Sequence, residues 1–240
     1  MRIRDIVPVR SPKVLAGMAR QRRQWARPGV EIEVVPIEAG PYSMEFATEE
    51  VLAGPHILAA VRKAENDGVD AVVLDCCVDP VLRAARETVR IPVMAPLHSG
   101  LHVASMLGSR TAVLSMRNGQ QTIEEHIRAY GFERKICSMQ VVDCPPADLI
   151  ESQQYCLDVI HREIEAALSA HRAEAILFAC TAMSGYVDGL RKQYDVPIIE
   201  PMACAINMAV SLVTLGLSHS KRCYETLPVR GTAPGSIDIP

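Results

Sequence analysis

Two cysteines, Cys76 and Cys180, stand 104 positions apart in matching surroundings, each behind an apolar run and ahead of a segment that reads as helix. VDAVVLDCC (Val69 to Cys77) aligns with AEAILFACT (Ala173 to Thr181), so that Asp70 answers Glu174, Ala71 answers Ala175 and Cys76 answers Cys180. In open α/β sheets the edge where strands hand over to helices is where ligands bind. Backbone amides and a helix N-terminus there favour anions, and they can lower a thiol's pKa from about 8.5 towards roughly 3.5–7.5. Two equivalent thiols facing each other could take a proton from one face of a carbon and return one to the other. Such chemistry starts from one thiolate and one thiol, with donors aimed at the adjacent carbonyl to hold the carbanion; Thr181 and nearby amides are candidates. It requires neither metal nor organic cofactor. A single buried cysteine is ordinarily packing material; the repeat is what sets these two apart.

The elements that must position them repeat as well. IPVMAP (Ile91 to Pro96) answers VPIIEP (Val196 to Pro201) at an offset of 105, and each precedes an Ala- and Met-containing apolar helix that ends in Leu-Gly, at Leu107-Gly108 and Leu215-Gly216. Upstream, EIEVVPIEAGP (Glu31 to Pro41) matches ICSMQVVDCPP (Ile136 to Pro146), and the strand near Arg2 to Val7 matches TAVLSM (Thr111 to Met116). Matches in a constant order with a near-constant offset predict an internal duplication. Helices are expected near Ser11–Trp25, Glu49–Asp67, Pro80–Thr88 and Leu97–Leu107, then near Gly119–Tyr130, Ser152–His171, Ser184–Gln193 and Met202–Leu215. Gly68, Gly108, Gly131 and Gly216 stand where helices should stop. Short, continuous apolar strands alternating with helices predict an α/β fold, with a parallel sheet flanked by helices in each half.

Composition narrows the class. The 240 residues are 49% hydrophobic and 22% charged, with a formal charge of −3, which gives no basic field for nucleic acid. The charged N-terminus MRIRDIVPVR lacks the apolar core of a signal peptide, and no run approaches the roughly 18–20 apolar residues that cross a bilayer. A cytoplasmic protein with no membrane partner is expected. The eight cysteines would there be reduced, and they lack the C-x-x-C pairs of a zinc site. Cys137, Cys144, Cys156, Cys204 and Cys223 read as small apolar fillers.

Over nearly its whole length the chain resembles the aspartate/glutamate/hydantoin racemase superfamily, and its hydantoin racemase branch in particular. GPYSMEFATEEVLAGP (Gly40 to Pro55) is similar to that branch's G-P-x-S-I-E segment and the helix after it. GVDAVVLDCCVDP (Gly68 to Pro80) resembles its first cysteine segment, FACTAMSG (Phe178 to Gly185) its second, and LGLSHSK (Leu215 to Lys221) its closing L-G-L-x-T-S-K. The resemblance implies Cys76 and Cys180 as the catalytic pair and two pseudo-symmetric Rossmann-like domains with the site in the cleft between them. Residues 1–97 with the returning 207–240 would form the first domain and 98–206 the second. It further implies a cofactor-independent racemase or epimerase acting on a small molecule such as a hydantoin, allantoin or an amino-acid derivative, and assembly into a homo-oligomer. Enzymes that decarboxylate arylmalonates or isomerise maleate share the scaffold, and a non-catalytic ligand-binding protein is the remaining alternative.

Candidate substrate-binding residues are Val9, Arg10, Ser43, Cys77, Val78, Ser115, Thr181 and Ala182, with no metal ligand among them. The family's opening I-N-P-N-T-S is here IVPVRS (Ile6 to Ser11), so Val7 and Val9 replace polar amides and Arg10 enters the loop. Arg10 could grip a carboxylate through two bonds or point into solvent. His98 replaces the usual acidic residue after the fourth strand, and Thr181 replaces an alanine. His98 and His102 share a helix face at i, i+4, which fits helix packing or a polar wall better than a metal site. Asp79 is expected to cap the next helix with Pro80 at its first position, and Ser184 and Gly185 to cap the matching one. Asp75 either modulates Cys76 or starts the turn. Met183, Met202 and Met208 read as core, RQRRQWAR (Arg20 to Arg27) as a solvated helix end, and no nucleotide-binding glycine motif is present.

Overall fold

The computed structural model describes residues 1–10, 12–144, 149 and 152–226; Ser11, Pro145, Pro146 and the tail from 227 to 240, on which some of the expectations above fall, lie outside them. The first half runs β1 (Arg2–Val7), α1 (Pro12–Arg23), β2 (Glu31–Pro36), α2 (Ala47–Asn66), β3 (Ala71–Leu74), α3 (Leu82–Thr88), β4 (Val93–Met94) and α4 (Pro96–Leu107). The second runs β5 (Thr111–Met116), α5 (Gln120–Ala129), β6 (Ile136–Val142), α6 (Gln153–His171), β7 (Ala175–Phe178), α7 (Val187–Leu190), β8 (Ile198–Ile199) and α8 (Pro201–Thr214). The described strands form two parallel sheets in the orders β2-β1-β3-β4 and β6-β5-β7-β8. The fold is α/β, two parallel four-stranded sheets flanked by helices. β3 and β7 consist of four fully buried apolar residues each, as strands covered on both faces must.

The two sheets carry the same hydrogen bonds at the same places. Asp70 N donates to Arg2 O (2.9 Å) as Glu174 N donates to Arg110 O (2.7 Å), and Val72 N donates to Pro92 O as Ile176 N does to Pro197 O (both 2.9 Å). The matched acids also work alike: Asp70 Oδ2 accepts from Arg2 N (2.6 Å) and Glu174 Oε2 from Ser109 N (2.7 Å). A pair that sequence comparison overlooked is Arg86 and Arg191, whose Nε atoms donate to Val93 O (3.1 Å) and Ile198 O (2.9 Å), pinning each edge strand to the helix before it.

The chain divides into two compact units: Met1–Asp75, Asp79–Ala95 and the described residues from Ile206, and Cys76–Val78 with Pro96–Ala205. In the first, α2 packs on β1 and β3. The LGLSHSK segment belongs here, where Lys221 Nζ donates to the carbonyls of Arg86 and Val89 at the end of α3, satisfying groups a helix C-terminus leaves open. His219 accepts the Val93 amide at Nε2 (2.9 Å); burial and the Arg86 charge push its pKa down to about 4. In the second unit Leu114, Val142, Ile160, Ile164, Ile176 and Phe178 form one buried cluster. Its helix α4 lies directly on β7: a Cβ on Gly100 would stand 2.6 Å from Leu177 Cδ1. No described helix is long and apolar enough to cross a membrane.

Several expectations are corrected. Gly68, Gly131 and Gly216 do adopt positive φ, but Gly108 does not; its role is close approach, since a Cβ there would lie 3.1 Å from Glu174 Cβ. Cys144 and Cys156 are no fillers but a disulfide, with Cα atoms 5.9 Å apart where the end of β6 meets α6. Tertiary packing brings them together, which composition and compartment do not reveal. Cys223 is exposed rather than packed. Of the methionines, Met183 and Met202 are fully buried, whereas Met208 is half-buried.

Gly100→Ala should destabilise the protein by about 1–3 kcal/mol through overpacking against Leu177, although the same change in an open helix would help by about 1 kcal/mol; urea unfolding decides the sign. Reducing the Cys144–Cys156 link, which closes a short loop, should cost about 2–4 kcal/mol, read as a fall in the unfolding midpoint with dithiothreitol that a Cys144→Ala/Cys156→Ala variant no longer shows.

Candidate active site

Sheet register places the cysteines. Ile6 pairs with Leu74 and Leu114 with Phe178, the last rungs between each central strand and its neighbour. One more amide on each side keeps that direction: Asp75 N donates to Ile6 O (2.8 Å) and Ala179 N to Leu114 O (2.7 Å). The next residue is Cys76 in one sheet and Cys180 in the other, both half-buried thiols. Cys180 rests against the core of its unit.

Beyond the cysteines the halves diverge. Cys180 is extended (φ −156°, ψ 121°) and leads into a 3-10 helix, Thr181–Tyr186, continued by α7. The helix expected from Ser184 therefore begins three residues earlier, with Cys180 rather than Ser184 or Gly185 at its cap position. After Cys76, Asp79 (φ 45°) and Val81 (φ 47°) are both left-handed, a costly conformation for a β-branched residue. α3 starts at Leu82 with Val81 at the cap, which corrects the expected Asp79 cap and Pro80 first position. Gly54 on α2 makes room: a Cβ there would lie 3.2 Å from Val81 Cγ1.

The predicted binding residues fall into two groups. In the second unit Cys77, Val78 and Thr181 are buried, Ala182 is exposed, and Ser115 is fully buried with its Oγ lacking a hydrogen-bond partner among the described residues. In the first, half-buried Val9 and exposed Arg10 follow β1. Arg10 N donates to Pro41 O (3.1 Å) and its guanidinium stands 5.7 Å from the centre of the Tyr42 ring, which brings the Val9–Arg10 loop beside the segment holding Ser43. Ser43 Oγ donates to Glu49, whose carboxylate also accepts from Glu45 N (2.6 Å) and Phe46 N (3.0 Å) at the start of α2. These bonds hold the Glu49 pKa down. His98 and His102 lie 4.5 Å apart, ring centre to ring centre, with Tyr130 edge-on to the first and Phe132 to the second.

The sequence reading missed Glu200 and the buried partners of Asp75. Glu200, 2% exposed, lies 2.5 Å from Ser184 Oγ, which is also 2.7 Å from the Thr181 carbonyl; the single hydroxyl proton serves one of them at a time. Glu200 also accepts the Ala203 amide, capping α8. Its position directly ahead of a helix-starting proline was the available signal. With burial, its charge pushes the Cys204 thiol up to about 12, far from a reactive cysteine.

The Asp75 cluster lies beside Cys76. Arg22, expected in a solvated run, is 0% exposed, as is Asp5, and Asp75 is 3% exposed. Arg22 Nη2 lies 2.7 Å from Asp75 Oδ2, and its Nε is 3.3 Å from Asp5 Oδ2 and 3.2 Å from Asp75 Oδ2. Burial first, then the neighbouring Asp75 charge, raises the Asp5 pKa well above the ordinary carboxylate range. Asp75 is thus tied to a buried cation through its side chain as well as to β1 through its amide.

The Asp/Glu/Hydantoin racemase family model matches residues 10–209. The hydantoin racemase of Pseudomonas sp. (strain NS671) is 30% identical over 239 residues, 99% of this chain and 96% of the relative. That of Rhizobium meliloti is 35% identical over 182 residues, 75% of this chain and 76% of the relative. Allantoin racemase from Klebsiella pneumoniae superposes with a TM-score of 0.91 at 28% identity, covering 98% of this chain and 96% of that one. The protein is an enzyme of the isomerase class. It belongs to the Asp/Glu/hydantoin racemase family.

A carboxyl whose pKa is raised by folding adds stability that is complete below its unfolded value, about 3.9, and is lost as pH rises through the folded value. Asp5→Asn removes that loss. Urea midpoints from pH 4 to 8 should therefore move in favour of the variant as pH rises, and a constant gap would contradict the raised Asp5 pKa.

Proposed function

We propose that the enzyme inverts an acidic stereocentre of a small cyclic ureide or amino-acid derivative by proton transfer between two thiols, without a cofactor. The observation that carries this reading is the equivalent placement of Cys76 and Cys180, each one residue beyond the final amide bond to the central strand of its sheet. In one direction the Cys76 thiolate takes the proton from carbon and the Cys180 thiol donates to the opposite face; in the other the roles exchange. The charge left on the adjacent carbonyl is held by the amides near Cys77 and Val78 and by those of Thr181 and Ala182, with the Thr181 hydroxyl as a further donor. The relatives' names, hydantoin and allantoin racemase, support a ring whose reactive carbon lies between a carbonyl and a nitrogen. The hydrogen bonds repeated in both sheets support an internal duplication with halves near 1–97 plus 207–240 and 98–206.

The test follows hydrogen exchange and optical rotation separately. Single enantiomers of a 5-monosubstituted hydantoin are incubated in D2O at neutral pH with wild type, Cys76→Ser and Cys180→Ser, against an enzyme-free blank. Racemisation should fall by about 10²–10⁴-fold in both variants, while each variant still exchanges the C5 proton of one enantiomer, opposite for the two. Wild-type racemisation by Cys76→Ser would exclude the two-thiol mechanism.

A further inference from the structure

We propose that Asp75, held by Arg22 and Asp5, is a positioning residue that fixes Cys76 and sets how readily its thiol ionises. This rests on the reading of Cys76 as an acid/base group, but its test requires no turnover.

Asp75 is anchored twice, by its amide to Ile6 O (2.8 Å) and by Oδ2 to two nitrogens of Arg22, at 2.7 and 3.2 Å. The Cα of Cys76 lies one trans peptide further on, about 3.8 Å away. The whole cluster is buried, with Arg22 and Asp5 at 0% and Asp75 at 3% exposure, and burying ions is a poor way to gain stability. Nor does the sheet need them. Register makes Val113 the counterpart of Asp5, and Ala179 that of Asp75, so an identical strand order stands in the second unit on apolar residues. Among the described residues, the positions matching Asp5 and Asp75 carry no charge on the side of Cys180.

The charges of the two aspartates are unequal in effect. Oδ1 of both aspartates meets no donor among the described residues. Arg22 gives two donors to Asp75 Oδ2, at 2.7 and 3.2 Å, and one at 3.3 Å to Asp5 Oδ2, so the tighter ion pair is the one with Asp75, while burial raises the Asp5 pKa. Around the cluster, Val34 and Val73 pair with Asp5 on either side, Gln21 accepts from Arg22 Nη1 (2.7 Å), Trp25 lies 5.2 Å from the guanidinium, and Arg4 turns to Glu33 and Asp67. Asp75 therefore brings a negative charge next to Cys76 and Arg22 offsets it. Removing Asp75 shifts the anion to Asp5, one strand further from the thiol.

Rates of iodoacetamide alkylation at Cys76 and Cys180, resolved by peptide mass spectrometry from pH 6 to 10, test this in the whole protein. Asp75→Asn should speed Cys76 about three- to tenfold at neutral pH, the size of moving a unit charge by several ångströms at an effective dielectric of about 20, and should lower the midpoint of its profile. Cys180 in the same molecules should not change. Asp5→Asn, which keeps the Asp75–Arg22 pair, should leave Cys76 within about twofold of wild type. Arg22→Lys balances Asp75 less closely and should slow Cys76, which keeps the test open if Asp75→Asn does not fold. An unchanged Cys76 rate in Asp75→Asn or Arg22→Lys, or parallel changes at Cys76 and Cys180, would overturn the proposal. Because no substrate is present, failure of the racemase reading and failure of the Asp75 hold are separate results.

Discussion

Backbone pairing between each central strand and its inner neighbour is the constraint from which the site follows. β1 and β5 accept from β3 and β7 until one amide past the last paired residue, at Asp75 and Ala179. After that bond the chain is released from the sheet, and the first side chain it presents is a cysteine. The pairing depends in turn on four-residue strands buried on both faces, where every unpaired amide would cost about 1–3 kcal/mol. A slip of one residue would turn each strand's side chains to the opposite face, so the packing that stabilises β3 and β7 also fixes where their cysteines emerge.

From that common point the two halves solve different problems. Cys180 runs into a 3-10 helix whose Ser184 contacts Glu200, the carboxylate that also caps α8. Cys76 has a buried ion cluster before it and two left-handed residues after it. Neither the cluster nor the left-handed Val81 is a stabilising device, for both carry costs of order kcal/mol. The proposed proton transfer asks only that each thiol ionise and be reprotonated in turn. It does not ask for identical surroundings, and the equivalence of the two cysteines is one of backbone position alone.

Strands, helix order and the matching strand-end positions of Cys76 and Cys180 were legible in the sequence because they rest on local properties: apolar runs, helix stops and a repeated pattern. Helix boundaries moved by one to three residues. What stayed hidden depends on contacts between segments distant in sequence. Arg22 reads as surface charge within RQRRQWAR, and only the docking of α1 brings it to Asp5 and Asp75, 17 and 53 residues away. The Cys144–Cys156 link needs β6 to end beside α6. The left-handed Val81 defies the usual preference of β-branched residues, and Gly54, whose missing side chain permits it, lies on another helix.

The candidate binding residues separate from the proposed acid/base pair along the same lines. At the edge of the first unit, where the sequence resemblance implies two side-chain amides, stand Val7, which is buried, and Val9, which is half-buried. Ser43, which could have replaced a lost polar group, instead donates to Glu49 at the start of α2. Among the described residues of that loop, the Arg10 guanidinium lies beside Tyr42. A guanidinium offers donors alone, in a planar fork suited to carboxylates, whereas an amide both donates and accepts and suits a neutral ring. On the proposed function, Val9 and Arg10 therefore bear on which substituent this loop can satisfy, whereas Cys76 and Cys180 are set by the pairing of β1 with β3 and of β5 with β7.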